Sequence, residues 1–143
     1  MSAPSSNELG AQLLSAVAKF NRWATKHSVL PISSAQARLL GLVEANEDAR
    51  IGELAAADHC SQPTMTAQVK KLEEQGLLVR TPDEDDARAS RIALTDAGRG
   101  VLQEVRQART DVIAPVLAAL SPQDREVLVR ANELLRQIAA DAR

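Results

Sequence analysis

Cysteine occurs once in the 143 residues, tyrosine never, and tryptophan and phenylalanine once each. A lone cysteine rules out an intrachain disulfide framework. No apolar run approaches the roughly 18 residues that a bilayer-spanning helix needs, and the opening "MSAPSSNE" lacks the basic and apolar regions of a signal peptide. A soluble cytoplasmic protein with no membrane partner is therefore expected. Charge of one sign is missing as well: the net charge is −2, so bulk electrostatics offers nothing to a polyanion, and any affinity for nucleic acid must be built locally. What the chain has in quantity is Ala, Leu, Val, Glu, Gln and Arg, a mixture that favours helix over strand.

The length suits one domain with a real core. Ser5 with Glu8, and Ser33 with Gln36, have the spacing of capping boxes. The first opens a helix with Leu13, Val17, Phe20 and Ala24 at helical spacing, ended by Pro31. The second opens one whose stripe is Leu39, Leu40 and Val43. "IGELAAADH" is too short to be stable alone and must pack on its neighbour. In "SQPTMTAQVKKLEEQG", Ser61 is a good N-cap, Pro63 sits harmlessly in the first turn, and Gly76 is a natural residue just past the end. "LLVRT" and "SRIAL" read as two strands of a hairpin, joined by a long connection, 82–89. Thr95 caps a long helix that Pro115 should kink or end early. Ser121-Pro122 with Asp124 opens a last helix with Val127, Ala131, Leu134 and Ile138 on one side.

This order predicts a mainly α fold with a small β-hairpin, a winged helix-turn-helix. Residues 33–98 would form its DNA-binding lobe, with 1–30 and 99–143 a helical dimerisation region. On a helical wheel, 61–75 places Met65, Val69 and Leu72 on one side. Pro63, Thr64, Thr66, Ala67, Lys70 and Lys71 fall opposite or on the flanks, and Ser61 and Gln62 stand at the N-terminal tip, where free N–H groups suit a phosphate. Such a face can enter a major groove. It equally fits a plain surface helix, since helix-turn-helix shapes also serve as packing units.

The hairpin distinguishes them. Arg80, Asp83, Asp86 and Arg88, followed by Leu94-Thr95 and Gly98, resemble the wing signature of the MarR family of bacterial transcription regulators. "SQPTMTAQVKKLEEQGLLVR" and "LAALSPQDREVL" extend the likeness over nearly the whole chain. The resemblance implies a homodimer on double-stranded DNA with a pseudo-palindromic operator. It further implies a minor-groove role for Arg88 and release of DNA by a small aromatic or phenolic effector. Ser61, Gln62, Pro63, Thr64, Thr66, Lys70, Lys71, Arg88 and Arg91 are the expected DNA-binding residues. Asp83 and Asp86, accepting backbone N–H groups and pairing with Arg80 or Arg91 in exposed ion pairs, are the expected wing scaffold. Trp23, His27 and Arg38 are candidate effector contacts, although no motif selects them. The chain departs from many relatives at Ala87 and Ala67, both commonly basic, so the affinity is expected to be modest or the preferred sequence unusual.

Other readings stay open at this stage. The terminal stripes could fold back into a monomeric core. The fold could be a protein–protein adaptor without DNA binding. Cys60, just before the recognition helix, could be a redox-sensing thiol. No cofactor or metal is expected: His27 and His59 have no second cysteine or acid cluster at ligand spacing. No phosphate loop, nucleophile elbow or Ser/His/Asp arrangement supports an enzyme.

Overall fold

The computed structural model describes residues 3–141. Its elements are α1 (Ser6–His27), α2 (Ser34–Ala45), β1 (Ala49–Arg50), α3 (Ile51–Ala57), α4 (Gln62–Glu74), β2 (Leu78–Pro82), β3 (Ser90–Leu94), α5 (Asp96–Ala118) and α6 (Pro122–Asp141). Helix starts follow local chemistry. Both expected capping boxes are formed, Ser5 with Glu8 and Ser33 with Gln36. At α4 the Ser61 hydroxyl accepts the Thr64 N–H at 3.2 Å, and Gly76 leaves the helix with a left-handed φ of 73°, which glycine adopts without a Cβ penalty. Thr95 serves two elements: its hydroxyl donates to the Gly76 carbonyl at 2.6 Å and accepts the Gly98 N–H at 3.0 Å. The start of α5 is thereby fastened to the end of α4. A Cβ on Gly98 would collide with the Leu77 backbone carbonyl, so only glycine permits this approach.

The core gathers Leu39, Leu40 and Val43 of α2, Leu54 of α3, Met65, Val69 and Leu72 of α4, Ile92 of β3 and Leu102 of α5. The hairpin pairs antiparallel from Leu78↔Leu94 to Pro82↔Ser90. One strand was not expected. β1 adds to β3 through Ala49↔Ile92 and Arg50↔Arg91, giving a three-stranded sheet of order β1-β3-β2. Two residues are too few to display the alternation by which a strand is read from sequence.

The chain divides into two compact units, one through Arg109 and one from Thr110. In the first, α5 is joined to α2 by an ion pair of Arg106 with Glu44, and to α1 by a hydrogen bond from Arg109 to Asn21. In the second, α5 continues through Pro115 to Ala118 instead of ending there. Proline removes a donor on its N-terminal side only, and the Ala119 N–H still reaches the Pro115 carbonyl at 3.1 Å. No described residue of α6 is buried.

Candidate nucleic-acid interface

The period of α4 separates its two faces completely. Met65, Val69 and Leu72 are each 0% exposed, whereas Gln62, Pro63, Thr64, Thr66, Ala67, Lys70 and Lys71 are exposed. Ser61 and Thr64 also share a hydroxyl–hydroxyl hydrogen bond of 2.8 Å, which orders the N-terminal tip. Glu74 comes at the far end, 4.0 Å from Lys70 Nζ. The outward face is therefore small, hydroxylated and then basic, over an inner face locked in the core.

The loop between β2 and β3 is organised by one carboxylate. Asp83 Oδ1 accepts the N–H groups of Asp85 at 2.8 Å and Asp86 at 3.3 Å. Its Oδ2 accepts Arg50 Nε at 2.7 Å and lies 3.2 Å from Arg91 Nε. The Asp83 N–H donates to the Ala89 carbonyl across the loop at 3.2 Å. Asp86 supplies the next turn, accepting the Arg88 N–H at 2.9 Å. Two expectations are corrected here. The pairing of Asp83 is not an exposed one, since its side chain is 0% exposed. Its second partner is Arg50, from the unexpected strand β1, and not Arg80. Arg80 turns instead to Glu73 of α4, Nε to Oε2 at 2.8 Å, because β2 carries it alongside the last turn of that helix. Arg91 pairs with Asp83 as expected, but its Nη1 also donates to the Asp48 carbonyl at 2.8 Å. The guanidinium expected to reach DNA is thus engaged twice within the lobe.

The Arg50 hydrogen bond, reinforced by the Asp85 N–H, holds the Asp83 carboxyl down at about 2. A carboxyl more acidic folded than unfolded contributes its full stability above the unfolded value of about 4, and loses it as pH falls towards the folded value. Asp83→Asn is accordingly expected to lower the melting temperature at pH 7 by several degrees, roughly 5–10 °C. The gap from the wild type should close as pH drops from 4 to 2; melts recorded across that range by circular dichroism check both points. A gap independent of pH would show that Asp83 acts through shape and not charge.

Arg88 stands exposed beyond this scaffold. Among the described residues no ion pair or hydrogen bond engages its guanidinium, in contrast to Arg50, Arg80 and Arg91. Between wing and recognition helix runs an open groove of about 500 Å³, bordered by Arg50, Gly52, Gln62, Thr66, Arg80 and Arg88. Of its three arginines, Arg50 is held by Asp83 and Arg80 by Glu73, which leaves Arg88 as the cation that the groove presents to a partner.

The candidate effector contacts separate. Arg38 borders a second pocket of about 360 Å³ among α1, α2 and α5, with Asn21, Thr25, Ser34, Arg106 and Arg109, and it also pairs with Asp58 at 3.2 Å. Trp23 and His27 are not part of it. At about 100° per residue, positions 21 and 25 share one face of α1, while 20, 23 and 27 share another. There the Trp23 ring lies 4.9 Å from His27 and 6.2 Å from Phe20. The other pocket residues carry no motif, and only their convergence in space marks them. Cys60 is half-buried against the core. Among the described residues no group of three His, Cys, Asp or Glu could hold a metal, and no helix is long and apolar enough to cross a membrane.

Against known proteins, the model of the MarR family matches residues 32–90, the span from α2 to the start of β3. An uncharacterized HTH-type transcriptional regulator of Mycobacterium bovis is 30% identical over 106 residues, covering 73% of each chain. A MarR family protein from Bacillus stearothermophilus superposes with a TM-score of 0.71 at 26% identity, over 96% of this chain and 99% of that one. A mutant of Staphylococcus aureus MepR, solved bound to an oligodeoxyribonucleotide, shares the fold with a TM-score of 0.63 at 20% identity, over 98% of this chain and 100% of that one.

Proposed function

Since the chain belongs to the MarR family of transcriptional regulators, we propose that it is a cytoplasmic homodimeric transcriptional repressor that binds DNA sequence-specifically, with α4 in the major groove and Arg88 of the wing in the minor groove. One observation carries this reading. Gln62 and Thr66, from the exposed face of α4, and Arg88, the uncommitted arginine at the wing tip, border the same groove. A helix fills the major groove, and a narrow minor groove concentrates the negative potential that attracts an arginine. The MepR complex with an oligodeoxyribonucleotide supports it from a chain of the same fold. Ser61, Gln62, Pro63, Thr64 and Thr66 would meet bases and phosphates, with Lys70 and Lys71 on the backbone. Arg50, Arg91 and Asp83 would position the wing without touching DNA.

Dimer formation is supported separately by each unit. In the first, α1 leaves Leu9, Leu13, Val17 and Phe20 between 40% and 52% exposed. In the second, α6 leaves Val127 at 65% and Ile138 at 63%. Isologous pairing would cover such faces and set two recognition helices about one DNA turn, ~34 Å, apart. The pocket at Arg38 would take the effector: Ser34 and Thr25 offer hydroxyls to the carboxylate or phenolate of a small aromatic acid, which would compete with Asp58, Glu44 and Asn21 for Arg38, Arg106 and Arg109.

Selection of bound sequences from random DNA is the test. Two half-sites related by a dyad, ~10 base pairs between centres, with an affinity falling steeply with salt, are expected. A flat salt dependence or no selected sequence would sink the reading.

A further inference from the structure

Gly52 lies in the first turn of α3 with a backbone that any residue adopts, at a place where alanine is the better helix former. Neither a turn nor a left-handed φ explains it. Space does. A Cβ at this position would stand 2.9 Å from Nε2 and 3.6 Å from Cδ of Gln62, and no atom of another described element comes within 4 Å. The helical glycines Gly10, Gly41 and Gly100 face open space, and Gly98 faces backbone. Gly52 is set apart from these: it faces the reading end of a side chain in the first turn of α4.

We propose that Gly52 is a specificity-determining positioning residue, which fixes the base preference of Gln62 by leaving the seat its amide rests on. The proposal deepens the DNA-binding reading and rests on it. Gln62 and Gly52 border the groove between helix and wing together. A glutamine amide can donate to and accept from the major-groove edge of adenine simultaneously, which demands that both atoms arrive at a fixed height and angle. An amide resting across Gly52, where its Nε2 stands 2.9 Å from the place of a Cβ, would have less rotamer freedom to lose when DNA arrives. A methyl group at residue 52 displaces only this flexible end, so the amide swings off its seat while the lobe keeps its fold.

Wild type, Gly52→Ala, Gln62→Ala and the double variant are each used to select from a library randomised across one half-site. Gly52→Ala is expected to change the preference at the same base pair as Gln62→Ala, by roughly 5- to 150-fold in discrimination. The double variant should match Gln62→Ala alone, because the seat matters only through its occupant. The salt slope and the melting temperature of Gly52→Ala should be no lower than those of the wild type. A wild type that selects DNA while Gly52→Ala keeps its preference, shifts another base pair, or adds to the effect of Gln62→Ala overturns the proposal alone. A wild type that selects nothing overturns both this and the regulator reading.

Discussion

Arg88→Ala is expected to weaken binding to every DNA sequence by roughly 10- to 100-fold, and to reduce the magnitude of the salt slope by about one. The loss should be uniform because an arginine in a minor groove responds to width and potential more than to base identity. It should be large because the loop is ordered before DNA arrives: Asp83 takes two backbone N–H groups and two arginines, and Asp86 takes the Arg88 N–H itself. The guanidinium at the end of that loop has no partner among the described residues to give up. For the same reason the melting temperature should not move, which separates this variant from Asp83→Asn, where both quantities fall. Fluorescence anisotropy on operator and unrelated duplexes, at several salt concentrations, measures the effect. Equal affinity of variant and wild type would remove the wing from the mechanism.

Leu13→Glu combined with Ile138→Glu is expected to yield a monomer and to cost roughly 10²- to 10⁴-fold in affinity for the full operator. Leu13 is 40% exposed and Ile138 63% exposed in the single chain, and both lie outside the buried core, so the double variant should fold. A glutamate at each would have to shed its water inside an apolar interface without a counter-charge. Once the copies separate, the second half-site is no longer bound at the high effective concentration that the first provides. Light scattering reads the mass and anisotropy the affinity. A double variant that stays dimeric would place the association surface elsewhere.

Legibility from sequence depended on whether several signals coincided at one place. At α4 the N-cap Ser61, the early Pro63, the stripe of Met65, Val69 and Leu72, and Gly76 all point to one helix, and its bounds followed. The hairpin was legible for similar reasons, whereas Arg88 was singled out by the resemblance of the wing signature. The partners inside it were not. Asp83 lies three residues from Arg80 and 33 from Arg50, yet it takes Arg50, because β1 pairs with β3 and brings that arginine under the loop. A strand of two residues leaves no pattern to read, and a buried aspartate looks in sequence like any member of an acidic run. Arg80 went to Glu73 by the same logic: a strand and a helix laid side by side decide which charges meet. Trp23 and His27 were singled out by residue type, and the turn of α1 carries them away from the pocket that Arg38 enters.

Helix and finger are braced by Thr95 to Gly76 and Arg80 to Glu73, and the finger itself by Arg50 and Arg91 to Asp83. A lobe tied in this way works like one jaw of a calliper, stiff in itself and adjustable only as a whole. On the proposed function, an inducer would have no use for melting either part. It would need only to alter the span between two jaws, since the dyad-related sites on a duplex sit at a separation set by the helical repeat and forgive little error.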